Sequence, residues 1–139
     1  MSRFTGACYC GAVQFEIEAP TRFCAHCHCQ NCRAAHGSAF VTWVGVPDAQ
    51  LHFVRGEELL RHYKTETDAT RSFCGTCGTT LFYRGPRWPD EYHVTRASIA
   101  GEIDRPPKIH IYVDHKSSWF PITYQLPQFG GKDGLTPKQ

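Results

Sequence analysis

Residues 23–37 read FCAHCHCQNCRAAHG, which places four cysteines and three histidines within fifteen residues. Three kinds of structure use so dense a set of soft ligands. They are a network of disulfides, a closed structural metal knuckle, and a metal site that keeps one coordination position open for chemistry. The rest of the chain has to distinguish among them.

The size and charge of the chain exclude several classes of protein. Its 139 residues fit a single domain, which can bury a core without covalent cross-links. The formal charge is +2, with Lys and Arg scattered among acidic residues, so we expect neither nucleic acid nor a membrane as partner. No apolar run is long enough for a signal peptide or a membrane span. We therefore expect a cytoplasmic protein, whose cysteines bind metal or react more often than they form disulfides; the oligomeric state is not determined.

Apolar residues alternate with polar ones in the segment 12–18 (AVQFEIE), which is the period of a half-buried strand. Further runs rich in β-branched and aromatic residues predict strands at 39–44, 51–54, 79–83, 92–95 and 108–113. Turn-forming segments separate these runs, as in an antiparallel β domain. The single predicted helix is short, 29–36 (CQNCRAAH), and Gly37 follows it in the position of a C-terminal cap.

Two cysteine pairs are each followed by a glycine: Cys8 and Cys10 by Gly11, and Cys74 and Cys77 by Gly78. A glycine at this position lets the backbone turn sharply enough to direct two thiolates at one ion. We predict that the two pairs form a closed, structural zinc site. Iron accepts four thiolates as well, but its common cluster motifs have other spacings.

A second set of thiolates lies in the opening stretch, where Cys27, Cys29 and Cys32 fall within six residues. Three protein ligands leave a zinc ion one position for a substrate. Cys24 lies three residues before Cys27, however, which is a usual knuckle spacing. All four cysteines could close an inert shell, and the spacing alone leaves both arrangements open.

The order of the motifs CxC, CHCxxCR and FCxxCG resembles the family of glutathione-dependent formaldehyde-activating enzymes, which includes the centromere protein V type of domain. The matching residues are Cys8, Cys10 and Gly11; Cys27, His28, Cys29, Cys32 and Arg33; and Phe73, Cys74, Cys77 and Gly78. The similarity continues through Gly37, Ser38, Phe40, Trp43 and Pro47 to the segment 110–119 (HIYVDHKSSW). Cys24 is extra to the family pattern.

This resemblance implies a mainly β fold, a small zinc-stabilised antiparallel domain of the β-tent type with one short helix. We place that domain at residues 1–126, followed by a polar, Gly-rich tail at 127–139 that we expect to be mobile. The resemblance also implies two zinc ions. The structural ion would be held by Cys8, Cys10, Cys74 and Cys77, and the catalytic ion by Cys27, Cys29 and Cys32.

The implied activity is that of a carbon–sulfur lyase, in which glutathione and formaldehyde combine reversibly to give S-hydroxymethylglutathione. The alternative is a zinc-stabilised binding or glutathione-carrier module without catalysis. A third possibility is a thiol redox enzyme that uses Cys24. His26 and His28 would be either proton carriers or hydrogen-bond donors beside the metal. Arg33 would offset the negative charge of the site, receive a substrate carboxylate, or be solvated on the helix.

Overall fold

The computed structural model describes residues 2–123 and 125–138, and β-strands dominate these residues. The strands are β1 (Arg3–Ala7), β2 (Gln14–Glu18), β3 (Phe23–Cys27), β4 (Val41–Pro47), β5 (Leu51–Arg55), β6 (Leu60–Lys64), β7 (Thr70–Cys74), β8 (Thr80–Arg84), β9 (Glu91–Thr95), β10 (Ile109–Ile111), β11 (Phe129–Gly130) and β12 (Thr136–Pro137). The α-helix of the described residues is α1 (Gln30–His36). Single 3₁₀ turns lie at Asp48–Gln50, Glu57–Leu59, Arg96–Ser98 and Val113–His115.

The chain divides into two compact units. The first consists of the residues up to Arg22 together with Val44–Arg105, and the second of Phe23–Trp43 together with the residues from Pro106 onward. The boundary between Trp43 and Val44 falls inside β4. Each of the two predicted cysteine sites lies within one unit, the first site in the first unit and the second site in the second.

The first unit contains two antiparallel arrangements of strands. One is the three-stranded sheet β1-β2-β5, and the other is the ladder in which β8 lies between β7 and β9, with β6 outside β7. The alternation predicted for β2 is confirmed, because Phe15 and Ile17 are buried and the residues between them are partly exposed. The buried face of β2 packs against Phe82 of β8, as in an antiparallel sheet with one face covered by the core.

Aromatic rings from both arrangements build the core of the first unit. The ring of Phe82 in β8 packs edge to face against three other rings. The distances between ring centroids are 5.1 Å to Phe15, 5.6 Å to Phe53 and 5.4 Å to Tyr92. Phe15 and Phe82 are each 1% exposed. Burying a side chain of this size stabilises the fold by about 1.5–3 kcal/mol, so this cluster is a main apolar contribution to the stability of the unit.

The second unit is organised around a parallel pair of strands, β10 and β3. Strand β10 pairs with β3 in the register Ile109↔Ala25, His110↔His26 and Ile111↔Cys27. The backbone N–H of His28 extends the ladder by donating to the carbonyl of Ile111 at 3.0 Å. Through this pairing, the segment that resembles the family's closing block lies alongside the start of the cysteine stretch.

The short helix is capped as its sequence predicts. Gly37 adopts a left-handed conformation with φ 62°, and its N–H donates to the carbonyl of Arg33. A residue with a Cβ would be strained there, which explains why the helix ends at a glycine. The predicted start at Cys29 is also close, because Cys29 is the N-cap and α1 begins at Gln30.

Six predicted strands correspond to β2, β4, β5, β8, β9 and β10, whereas six strands were missed: β1, β3, β6, β7, β11 and β12. Strand β6 is polar and almost entirely exposed, so it carries no alternation. Strand β3 consists largely of cysteine and histidine, and β7 buries Arg71 and Ser72. The tail that we expected to be mobile contains the antiparallel pair β11–β12.

Candidate metal centre

The first cysteine group brings together the four residues that the spacing predicted: Cys8, Cys10, Cys74 and Cys77. Their sulfurs all lie within 4.8 Å of one another. The Cys8 and Cys10 sulfurs are 3.6 Å apart, and those of Cys10 and Cys74 are 3.9 Å apart. Tetrahedral zinc with Zn–S bonds of about 2.3 Å requires sulfurs roughly 3.8 Å apart, so this donor set fits zinc.

Backbone geometry holds these sulfurs in place. Gly11 and Gly78 both have positive φ angles, 78° and 82°, which confirms the sharp turns expected after each pair. The sulfur of Cys74 accepts hydrogen bonds from the N–H groups of Thr76 and Cys77, at 3.3 and 3.4 Å. The sulfur of Cys8 accepts one from Val13 at 3.3 Å. Donors directed at sulfur stabilise the thiolate form that a metal needs.

The pKa values of Cys77 and Cys10 in this group are shifted in opposite directions. Hydrogen bonds from the Thr79 hydroxyl, 3.1 Å away, and from backbone N–H groups lower the pKa of Cys77 to about 5. A backbone hydrogen bond near Ala12 lowers the pKa of Cys10, but burial and the neighbouring thiols outweigh it and raise that pKa to about 11. A divalent cation bound by the four sulfurs would favour their thiolate forms, as expected for a metal-binding set.

The second group consists of Cys27, Cys29 and Cys32, whose sulfurs also lie within 4.8 Å of one another. Cys27 ends β3, Cys29 is the N-cap of α1, and Cys32 lies in the first turn of the helix. The sulfur of Cys29 accepts a hydrogen bond from the Cys32 N–H at 3.2 Å. Hydrogen bonds with the thiols of Cys29 and Cys32, together with burial, raise the pKa of Cys27. Soft, crowded thiols of this kind suit zinc.

Cys24 does not join this group, although it is buried and only three residues from Cys27. The reason is that both residues lie in β3, where successive side chains point to opposite faces. An odd separation therefore directs the two sulfurs to different sides of the strand. Two cysteines three residues apart, as in a zinc knuckle, share an ion only when the segment between them is a loop. Here that segment is part of strand β3. No disulfide links any of the eight cysteines.

Three histidines form a buried cluster beside the cysteine stretch. Nε2 of His28 is 2.9 Å from Nδ1 of His110, and Nδ1 of His26 is 2.8 Å from the Thr42 hydroxyl. Burial, followed by the charge of His110, lowers the pKa of His26 and of His28 to about 4. The sequence had linked His26 and His28 to the site but not His110. Only the parallel register of β10 on β3 could have identified it.

The comparisons with known proteins agree with the motif order. The family model for the glutathione-dependent formaldehyde-activating enzyme matches residues 3–115. A curated relative named an uncharacterised lyase, from Schizosaccharomyces pombe, is 31% identical over 131 residues, which cover 93% of this chain and 92% of that protein. The chain belongs to the glutathione-dependent formaldehyde-activating enzyme family.

The fold of this family member also occurs in a solved structure. A crystal structure of a Rhodobacter sphaeroides protein matches with a TM-score of 0.61 and 33% identity, covering 72% of this chain and 91% of the other. All seven cysteines of the two groups lie inside the range matched to the formaldehyde-activating family. In the described part of the chain, no helix is both long and apolar enough to cross a membrane.

Arg33, the arginine of the family's CHCxxCR motif, is only partly exposed. Its Nη1 donates to the carbonyl of His115 at 2.7 Å, and its guanidinium carbon lies 6.0 Å from the centroid of the Trp119 ring. The side chain therefore reaches from α1 to the family's closing block. A fully solvated arginine, one of the three expectations from the sequence, does not describe this geometry.

Proposed function

We propose that this protein is a zinc-dependent carbon–sulfur lyase that forms and breaks S-hydroxymethylglutathione. The observation that carries the proposal is the grouping of Cys27, Cys29 and Cys32 without a fourth cysteine sulfur among the described residues. Membership of the glutathione-dependent formaldehyde-activating family supports the same reaction, as does the name of the yeast relative, a lyase.

The two cysteine groups take different roles in this proposal. The group of Cys8, Cys10, Cys74 and Cys77 would close the coordination shell of a structural zinc ion. A zinc ion held by Cys27, Cys29 and Cys32 would supply a Lewis-acid position that accepts one further sulfur or oxygen ligand. Cys29 is half-buried whereas Cys27 and Cys32 are 4% and 5% exposed, so substrate would approach from the Cys29 side.

The reaction itself requires no oxidant or reductant. In the forward direction the glutathione sulfur attacks the formaldehyde carbon, so that a carbon–sulfur bond forms and the carbon–oxygen π bond breaks. The thiol loses its proton and the former carbonyl oxygen gains one. Breakdown reverses each of these steps. The contribution of the protein is to hold the thiol and the aldehyde together, which removes the entropic cost of their encounter.

We assign His26 and His28 to positioning the cysteine loop. Each is buried and neutral at pH 7, because its pKa lies near 4. Each also has a short contact, with Thr42 or with His110, that fixes its ring. A proton carrier near neutrality would need a pKa closer to the working pH and access to the reacting atoms.

The test is the exchange rate between free formaldehyde and S-hydroxymethylglutathione, measured by ¹³C exchange spectroscopy with zinc-loaded protein. We expect a faster exchange with the wild type and the uncatalysed rate with Cys29→Ser. The Cys24→Ser variant is the matched control, because Cys24 lies outside the group. Bound glutathione with unchanged exchange would support the carrier module instead.

A further inference from the structure

The second unit carries an excess of positive charge around the three-cysteine group. The segment 23–43 contains Arg33 and no aspartate or glutamate. From Pro106 onward there are four lysines and only two aspartates. The first unit, in contrast, has ten basic and eleven acidic residues. The positive charge of the chain is thus concentrated in the unit that holds Cys27, Cys29 and Cys32.

Both aspartates of the second unit are engaged elsewhere. Asp114 pairs with the Lys138 ammonium at 2.7 Å and accepts the Gly131 N–H at 2.6 Å. Asp133 accepts hydrogen bonds from Leu135 and Thr136, at 2.9 and 3.1 Å. The ion pairs among the described residues include neither Arg33 nor Lys116, so no carboxylate of the described chain neutralises these two cations.

Arg33 and Lys116 belong to two segments that are hydrogen-bonded to each other next to the cysteine stretch. Arg33 follows Cys32 directly and contacts the His115 carbonyl, which precedes Lys116. The segment that carries Lys116 is also tied to the loop between Cys27 and Cys29, because the N–H of His28 donates to the Ile111 carbonyl at 3.0 Å. The Nε atom of Arg33 is buried and has no hydrogen-bond partner.

We propose that Arg33 and Lys116, together with the exposed ring of Trp119, form a carboxylate-binding face that selects thiols bearing a carboxylate. This inference rests on the proposed function, because it concerns how the thiol is chosen at the same site. Arginine offers a planar pair of donors that matches a carboxylate, and lysine adds a mobile charge. Trp119 is 67% exposed and gives the apolar part of the ligand a flat surface.

The face also answers an electrostatic requirement of the site. Three thiolates around a divalent ion leave one net negative charge, which repels an incoming thiolate. Two cations on segments next to the cysteine stretch offset that charge. A ligand that carries a carboxylate gains in addition from direct contact with them, whereas a neutral thiol of the same length gains only from the reduced repulsion.

The experiment compares three short thiols that differ in charge, with the zinc-loaded full chain and calorimetric or NMR titration. The probes are 3-mercaptopropionate, 2-mercaptoethanol and cysteamine, which are anionic, neutral and cationic at the end away from the sulfur. We expect the wild type to prefer 3-mercaptopropionate over 2-mercaptoethanol, with cysteamine weakest. In Arg33→Gln and Lys116→Met that preference should fall about fivefold, as for the loss of one partly exposed charge contact.

Comparing the variant with the wild type for the same pair of thiols cancels the acidity of each thiol. The matched control is Lys132→Met, which removes the same charge from an exposed position in the hairpin turn. An equal loss of preference in Lys132→Met would show an effect of net charge alone and overturn the face. High salt should weaken the wild-type preference, because exposed charges are screened.

Two negative results separate this inference from the proposed function. If 2-mercaptoethanol binds and the wild type shows no preference for the carboxylate, the face is refuted and the lyase proposal stands. If none of the three thiols binds the zinc-loaded protein, the open site itself is refuted, and the face with it. Zinc content measured on each variant excludes loss of the ion as the cause.

Discussion

At the scale of single residues, the position of Cys24 decides how the cysteine stretch can coordinate metal. Cys24 is 2% exposed and lies on the face of β3 opposite to Cys27. Position 24 therefore requires a small side chain that fills the core, and it does not require a metal ligand. Cys29, in contrast, is the N-cap of α1 and points its sulfur into the three-cysteine group.

We expect Cys24→Ser to keep two zinc equivalents per chain and Cys29→Ser to keep one. Removing one of three ligands leaves two thiolates, too few for a stable zinc shell, whereas the serine at position 24 costs only a modest packing energy. Elemental analysis of both purified variants after desalting measures this. Release of one equivalent by Cys24→Ser would mean that four sulfurs close the second shell.

A second residue-scale prediction concerns Gly6, which faces Phe15 across the β1–β2 pair. A Cβ at position 6 would clash with Cζ and Cε2 at the edge of the Phe15 ring, and that ring is buried against Phe82. We expect Gly6→Ala to lower the free energy of unfolding by about 1–3 kcal/mol, the usual cost of overpacking. Urea denaturation of the zinc-loaded protein measures it.

The double variant Gly6→Ala/Phe15→Leu provides the control for this packing argument. A smaller side chain at position 15 makes room for the new methyl group, so Phe15→Leu should cost less in the Gly6→Ala background than in the wild type. Additive costs in the two backgrounds would show that the methyl group and the ring do not compete for space.

At the scale of elements, the β11–β12 hairpin is attached to the rest of the second unit through Asp114. This carboxylate pairs with Lys138 and accepts the Gly131 N–H. The hydrogen bond with Lys138, followed by that with Gly131, lowers the pKa of Asp114. Two backbone bonds add to this attachment, from His110 to the Pro127 carbonyl at 2.9 Å and from Tyr112 to that of Gly134 at 3.1 Å.

We expect Asp114→Asn at pH 7 to raise amide hydrogen exchange at Gly131 and Gly134, with Lys132→Met as the control. Because the folded pKa of Asp114 is depressed, its stabilisation is present above the unfolded value of about 3.9 and is lost as the pH falls through the folded value. The difference between the wild type and Asp114→Asn should therefore vanish in acid. A difference that persists below this pH would rule out the charge as its source.

At the scale of the whole molecule, the two cysteine groups should differ in how tightly they hold metal. Four thiolates close a shell, and structural zinc of this kind contributes about 10–16 kcal/mol, comparable with the ~5–15 kcal/mol net stability of a typical domain. The three-thiolate group has fewer ligands and a half-buried Cys29. Loss of the ion from the four-cysteine group should unfold the chain, and loss of the ion from the three-cysteine group should not.

Graded chelation of the purified protein tests this difference. We expect the zinc of the three-cysteine group to leave first, with the far-ultraviolet circular dichroism unchanged. The zinc of the four-cysteine group should leave only together with the loss of β structure. The variant Cys29→Ser should show only the release of zinc that accompanies unfolding. Release of both ions in a single step with unfolding would contradict the assignment of separate structural and open sites.

Prediction from the sequence succeeded where the determining physics is local. The alternation in β2, the glycine turns after Cys10 and Cys77, and the cap at Gly37 each depend on neighbouring residues, and each was confirmed. Strands β3 and β6 were not predicted, because their side chains show no hydrophobic alternation. Pairing with other strands, which the sequence pattern does not contain, holds them in place.

The sequence by itself determined the family, through the order and spacing of seven cysteines, because ligands of one metal ion must satisfy strict local geometry. Only the tertiary structure decided which side of β3 each sulfur faces and which histidine contacts His28. His110 is 82 residues away from His28 in the chain, and the parallel pairing of β10 with β3 brings the two rings together. Contacts between such distant residues depend on strand register, and register is a property of the folded sheet.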